Sequence, residues 1–244
     1  MTKKPTTETL FDTIKNTVLV PLHPAGFPFV AGAGFITLCL MLVSDTLSLI
    51  MGILTLFCVY FFRDPVRVTP QNDELVISPA DGKVIHIIEN VALPKELGGE
   101  NEPATFTKIS IFLSVFDVHV NRIPVTGKII KSAYNPGQFL NASLDKASDK
   151  NERASLLIET HTGQKLGVIQ IAGLIARRII TDVTEGDQVE TGSRYGIIQF
   201  GSRADIYLPE GCAPLVCVGQ RAIGGETVLG NLRGSEPRRT GKSH

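Results

Sequence analysis

The sequence predicts a mainly β protein: an antiparallel β sandwich, or barrel-sandwich-like domain, carrying an apolar helical hairpin at its N-terminus. Three observations predict this. After Phe62 the apolar residues fall in short alternating runs, Gly and Pro punctuate those runs, and before Phe62 two long uncharged stretches lie almost back to back. Alternation with period two marks a strand with one buried face, whereas an unbroken apolar run of helical length needs apolar surroundings.

With 244 residues the chain can bury one good core plus an appended segment. Its 24 basic and 24 acidic residues cancel, so it lacks the electrostatic footprint of a nucleic-acid binder. Cys39, Cys58, Cys212 and Cys217 form no C-x-x-C, which argues against a disulfide framework or a structural zinc site and for a reducing compartment. No metal is expected.

Residues 1–24 are a polar lead containing Lys3, Lys4 and Lys15. Residues 25–62 hold the hairpin: one apolar run from Ala25 to Val43, a turn at Ser44-Asp45-Thr46, and a second run from Leu47 to Phe62. Each run falls slightly short of the roughly 20 residues that cross a bilayer as a helix, so two short spans and a shallow re-entrant hairpin both fit. A buried core hairpin is the soluble alternative, and a cleaved signal peptide is disfavoured by the second run. Lysines before the pair and Arg63 and Arg67 after it place both ends on the cytoplasmic face of a cell membrane.

Residues 63–244 form the β domain. Strands are expected at Leu75–Ile77, Val84–Ile88, Phe106–Leu113, Lys128–Ile130, Ser155–Thr160, Leu166–Ala172, Gly196–Phe200 and Asp205–Leu208. Asp145–Ala154 reads as a loop or short helix.

Three constellations in this domain carry polar chemistry. In Ser78-Pro79-Ala80-Asp81-Gly82-Lys83, Asp-Gly is a strong hairpin signal, and Asp81 is either a turn former or a carboxylate held on a rigid turn to orient a histidine. In Phe116-Asp117-Val118-His119-Val120-Asn121-Arg122, alternation puts Asp117, His119 and Asn121 on one face, a surface or cleft, opposite Val118 and Val120. His86 and His161 lack such neighbours. The turn Glu185-Gly186-Asp187-Gln188-Val189 resembles that of lipoyl and biotinyl carrier modules, but no lysine follows Lys165 until Lys242, so the modifiable residue is missing.

The third constellation leads to Phe200-Gly201-Ser202-Arg203. Gly201 has no side chain to shield its carbonyl, and the Ser202 hydroxyl is the adjacent nucleophile. Attack by that hydroxyl exchanges the amide for an ester; β-elimination and hydrolysis of the dehydroalanine then leave a pyruvoyl ketone on the new amino terminus. A Gly-Ser pair is more often an ordinary turn. Serine, histidine and aspartate together also suggest a hydrolase triad, but the G-x-S-x-G elbow is absent around Ser202, which excludes an α/β-hydrolase. In the self-processing reading, His119 is the general base that activates Ser202 against Gly201 and Asp81 is its orienting carboxylate.

Phe61-Phe62-Arg63-Asp64-Pro65, Ser78-Pro79-Ala80-Asp81-Gly82, Asp117-Val118-His119-Val120-Asn121-Arg122, Tyr134-Asn135-Pro136-Gly137, Asn151-Glu152-Arg153, Ala176-Arg177-Arg178-Ile179 and Phe200-Gly201-Ser202-Arg203 together resemble the phosphatidylserine decarboxylase proenzymes, in their short form. The resemblance runs in order from about Phe61 to Leu229. It implies a zymogen that cuts itself into a β chain, residues 1–201, and an α chain, residues 202–244, which stay together as a heterodimer. It implies a covalent pyruvoyl cofactor from Ser202 that forms a Schiff base with phosphatidylserine in the membrane and yields phosphatidylethanolamine and CO2. It also implies that Asp81, His119 and Ser202 form the processing set.

One departure stands out: another branch carries a second histidine where this chain has Arg122, and arginine is no base at neutral pH. Arg122, Arg177 and Arg178 are candidates for binding the lipid phosphate. Two alternatives remain at this stage, a pyruvoyl decarboxylase for a soluble amine and a membrane-tethered β sandwich that only binds a partner.

Overall fold

The computed structural model describes residues 20–100, 105–137, 151–173, 178–199, 202–234 and 236–242. The chain divides into two compact units, Met1–Val66 and Arg67–His244.

In the first unit a 3-10 turn, Pro24–Gly26, leads into α1, Phe27–Met41, and then α2, Asp45–Phe61. Ser44, in an extended conformation, caps α2 by accepting from the Leu47 N–H, and Asp45 lies in its first turn beside the positive helix end. That cap draws Asp45 and Thr46 into the helix, so the expected turn falls earlier, at Leu42–Ser44. Thr37 and Thr55 bridge the two helices through their hydroxyls at 3.0 Å. The His23 N–H donates to the Phe62 carbonyl and the Asp64 N–H to that of Pro21, so the chain enters and leaves the hairpin side by side. None of the side chains of α1 is buried. A helix apolar all round needs an apolar medium. Pro24–Met41, 18 residues with mean hydropathy 1.6, is long and apolar enough to cross a membrane; α2 is one residue shorter.

The second unit is built of strands. A large sheet curls into a half-barrel. It contains β2 (Gly82–Val91), β3 (Phe106–Leu113), β5 (Gly127–Asn135), β6 (Arg153–Glu159), β7 (Lys165–Ala172), β9 (Gln188–Val189), β11 (Ser202–Leu208) and β12 (Arg221–Ala222). Their order is β12-β2-β3-β11-β7-β6-β5-β9, antiparallel throughout. A three-stranded sheet orders β4 (Val120–Arg122), β10 (Arg194–Gln199) and β8 (Arg178–Thr181) as β4-β10-β8, and β1 (Leu75–Ile77) pairs with β13 (Val228–Asn231).

All eight expected strands are present, two of them, Leu75–Ile77 and Phe106–Leu113, with the expected ends and the others with shifted ones. Two local expectations need correction. Asp81-Gly82 does not close a hairpin, because β1 and β2 belong to different sheets. Of Phe116–Pro124 only Val120–Arg122 is strand, and of the two expected settings for Asp117, His119 and Asn121, surface or cleft, their burial removes the surface. The cause lies in Ser114–Asp117, where Asp117 Oδ2 accepts from both the Ser114 N–H and its hydroxyl, closing a turn that ends β3. Of Asp145–Ala154, residues 145–150 lie outside the described residues and Arg153 already begins β6.

Both faces of the central strands are covered. Ala204, Ile206 and Leu208 join the main core with Ile109, Ile111 and Val168, while Tyr207 joins a second cluster with Ile169 and Ile171 on the other face. Every residue of β11 is buried, including Arg203 and Asp205, whose alternation alone suggests a wet face. Two apart on one strand, they share a face and form a bidentate pair, Nε to Oδ1 at 2.6 Å and Nη2 to Oδ2 at 2.7 Å. Breaking such a pair leaves a charge buried without its counter-ion. Asp205→Asn should therefore lower unfolding stability by about 3–5 kcal/mol, read from the urea midpoint.

Candidate active site

Ser202 opens β11, the strand hydrogen-bonded to β3 on one side and β7 on the other. It lies opposite Leu113, the last residue of β3, and Ala172, the last of β7. Gln199 ends β10 in the other sheet, so two residues separate strands of different sheets at this point. Those two, Phe200 and the expected cleavage residue Gly201, lie outside the described residues, as does Arg177.

Side-chain direction alternates along β11, so Ser202 faces the main core with Ala204 and Ile206. Its hydroxyl is fully buried and has no hydrogen-bond partner among the described residues. A buried hydroxyl left in that condition costs about 1–3 kcal/mol, which a fold tolerates where the group has another use.

His119 is also fully buried. It lies between the Ser114–Asp117 turn and β4, and its carbonyl accepts from the Ile198 N–H at 3.3 Å, on the strand that leads toward Ser202. Its Nδ1 is 3.0 Å from the Asp117 carbonyl oxygen. A carbonyl only accepts, so this contact assigns the proton of a neutral ring to Nδ1 and the basic lone pair to Nε2. Asp117 is tied down in turn, because Arg221 of β12 forms an ion pair with its Oδ1. The next polar residue, Asn121, donates to the Pro79 carbonyl at 3.3 Å and accepts from Gln170 Nε2 at 2.8 Å. Gln170 accepts from the Thr181 hydroxyl at 3.0 Å, so one chain of side chains joins β4, β7 and β8. It holds the small sheet over the inner face of the large one.

Asp81 stands at the same end, on the turn before Gly82. A Cβ on Gly82 would collide with the Phe112 carbonyl oxygen, so only glycine lets the turn approach β3 this closely. The described bonds of Asp81 run to Arg67 Nη2 at 2.7 Å and from the Gly224 N–H at 2.8 Å. Burial holds its pKa above the ordinary carboxylate range; Arg67 and the Gly224 N–H oppose that shift, and the charge of Asp117 adds to it. The folded chain thus keeps this proton to a higher pH than the unfolded chain does. Stability contributed by Asp81 falls as pH rises from about 3.8 through its folded value. Urea midpoints measured between about pH 4 and pH 7 should fall less steeply in Asp81→Asn than in the parent chain.

Two of the three arginines can be placed. Arg122 is buried, and its Nη1 donates to the Gly192 carbonyl at 2.9 Å. Arg178 is exposed at the start of β8, opposite Gln199. Since Arg122 pairs with Arg194, the two arginines flank opposite ends of β10, roughly 16 Å of strand apart.

Sequence reasoning missed Arg67, Gln170 and Glu152 as site neighbours. Glu152 is buried and accepts from the Tyr134 hydroxyl at 2.9 Å and the Ile179 N–H at 3.2 Å. A glutamine inside the apolar run Leu166–Ala172 was the one local sign of the network. A cavity of about 560 Å³ lies behind the strand, lined by Glu96, Arg153, Ile169, Asp205 and Tyr207. It lies on the face of β11 opposite Ser202.

The sequence profile described as phosphatidylserine decarboxylase matches residues 54–230. Among curated proteins, a phosphatidylserine decarboxylase proenzyme of Cereibacter sphaeroides is 52% identical over 226 residues, 93% of this chain and 96% of that protein. The half-barrel with its buried serine is therefore the scaffold of a carboxy-lyase: the chain belongs to the phosphatidylserine decarboxylase family.

Proposed function

We propose that the chain cuts itself between Gly201 and Ser202, and that the two-chain product converts phosphatidylserine into phosphatidylethanolamine and CO2 with a pyruvoyl group made from Ser202. The observation that carries this is the Ser202 hydroxyl, buried and unpartnered among the described residues, at the start of a central strand. The environment fits such a group: small Ala172 and apolar Leu113 flank it and keep water away.

In the cutting step His119 Nε2 takes the Ser202 proton, and Oγ bonds to the Gly201 carbonyl carbon as the peptide C–N bond breaks. The nitrogen of Ser202 becomes a free amine and the two parts remain joined by an ester. Loss of the Ser202 α-proton then breaks the Cβ–O bond, leaving Gly201 as a carboxylate and a dehydroalanine whose hydrolysis releases ammonia. The Asp117 carbonyl, 3.0 Å from Nδ1, orients the ring, and Asp81 with its partner Arg67 lies at the same end of the sheet. The pyruvoyl ketone supplies Schiff-base chemistry, a carbonyl that takes up the substrate amine and an electron sink for the pair left by CO2.

The cut need not separate the halves. Residues 202–244 carry β11, and that strand keeps hydrogen-bonded partners on both sides, β3 and β7. Arg178, exposed at this end, is the arginine suited to the lipid phosphate, while Arg122 braces the Gly192 loop. One helix long and apolar enough to cross a membrane supports a site of action at the bilayer, and the lysines and arginines that flank the helix pair favour its cytoplasmic face.

Mass spectrometry of the purified protein tests the first half. The expected result is two pieces, residues 1–201 and 202–244, the smaller lacking a free amino terminus. A single intact chain that still decarboxylates phosphatidylserine in liposomes would overturn it. Assays on soluble amines beside liposomes separate a lipid decarboxylase from one acting on a small amine.

A further inference from the structure

The exposed apolar side chains of the second unit are distributed unevenly. Among its described residues the large exposed hydrophobics are Val68, Phe116, Tyr134, Val218 and Ile223, between 41% and 83% exposed. All five map to the end of the half-barrel where Ser202 begins β11, or to segments bonded to that end. Phe116 tips the turn between β3 and β4, beside the Asp117 that Arg221 grips. Ile223 follows β12 directly, and Val218 is in the turn entering it, where Gly219 donates to the Val84 carbonyl. Tyr134 is joined to Glu152 at the start of β6, and Val68 follows the Arg67 that holds Asp81. The opposite end, with the Thr160–Gln164 turn, carries no large exposed hydrophobic among the described residues.

Charge is arranged to match. The acids of this end make bonds: Asp81 to Arg67, Asp117 to Arg221, Glu152 to the Tyr134 hydroxyl and the Ile179 N–H, and Glu226 to the Val68 N–H. Lys83 and Arg178 remain exposed there. Apolar tips among cations suit the boundary between acyl chains and anionic head groups.

We infer that this rim of the catalytic unit is itself a membrane-docking surface for an anionic bilayer, in addition to the helices of the first unit. Phe116 and Ile223 enter the acyl boundary, while Lys83 and Arg178 meet lipid phosphates. The inference rests on the lipid-decarboxylase reading only for its choice of partner. Docking holds the Ser202 end of the half-barrel at head-group depth, so the substrate need not leave its leaflet.

The sequence contains no tryptophan, so a single introduced one is an unambiguous reporter. Phe116→Trp and Ile223→Trp probe the rim, and His161→Trp, in the turn between β6 and β7, probes the far end. Each full-length protein is bound to vesicles of phosphatidylglycerol and acyl-brominated phosphatidylcholine, with binding verified by sedimentation. The rim reporters should lose about half of their emission or more, since bromine quenches at acyl-boundary depth, and His161→Trp should be unchanged. Equal quenching of rim and far-end reporters in sedimenting protein overturns the inference. So does a blue-shifted rim signal before vesicles are added, which would mean that the chain covers the rim itself. Fluorescence does not depend on self-cleavage, so rim quenching in a protein that never cuts itself would sink the proposed chemistry and leave the docking surface standing.

Discussion

Ser202→Ala should leave one uncut chain of 244 residues and no decarboxylation above background. Alanine keeps the β carbon and removes only the oxygen, which has no hydrogen-bond partner among the described residues. The fold should therefore keep its stability or gain slightly, because the cost of an unpaired buried hydroxyl disappears. Without Oγ nothing attacks the Gly201 carbonyl, no ester forms and no ketone arises. Since the ketone carries the electron demand of the reaction, the loss should be at least about 10⁴-fold. Gel electrophoresis reads the chain count, and release of CO2 from labelled phosphatidylserine reads the activity. An uncut Ser202→Ala protein that still evolves CO2 would remove the basis of the proposal.

Replacement of His119 by alanine should slow self-cleavage by about 10²–10⁴-fold, the usual contribution of a positioned general base. The Asp117 carbonyl that holds Nδ1 belongs to a turn closed by Ser114 and anchored by Arg221, so the ring direction is set by backbone. The alanine variant accumulates as a full-length precursor in a time course, and added imidazole should restore part of the rate by entering the space the ring leaves. Asn121→Ala is the control for mere disturbance, because it breaks the Gln170 link without removing a base. If Asn121→Ala slowed cutting as much as His119→Ala and imidazole restored neither, His119 would be a packing residue.

Much of this was legible along the chain. Short β-prone apolar runs bounded by Gly and Pro located eight strands, some alternating and some, such as β7, apolar on both faces. The two uncharged stretches marked the helices, and their polar break marked the turn to within two residues. Ser202, His119 and Asp81 stand out in the sequence by residue type and by the motifs around them, and their roles rest on the experiments above. The failures are as informative. Asp117 and His119 were placed on a strand because their neighbours are valines, yet a serine three residues before Asp117 captures its carboxylate and closes a turn. Asp-Gly suggested a hairpin, but β2 finds a better partner in β3, eight residues long, than in the three residues of β1.

The order of residue types alone determined which segments alternate, which are greasy throughout, and where a glycine carbonyl adjoins a serine hydroxyl, because each is a property of neighbours along the chain. Only the tertiary structure decided that Arg203 and Asp205 are dry, that Gln170 bonds to Asn121, that Arg122 and Arg178 stand at opposite ends of β10, and that the Ser202 hydroxyl is enclosed. Those facts depend on which strand lies beside which and in what register. Register is settled by the summed burial of whole faces and not by any one residue's preference.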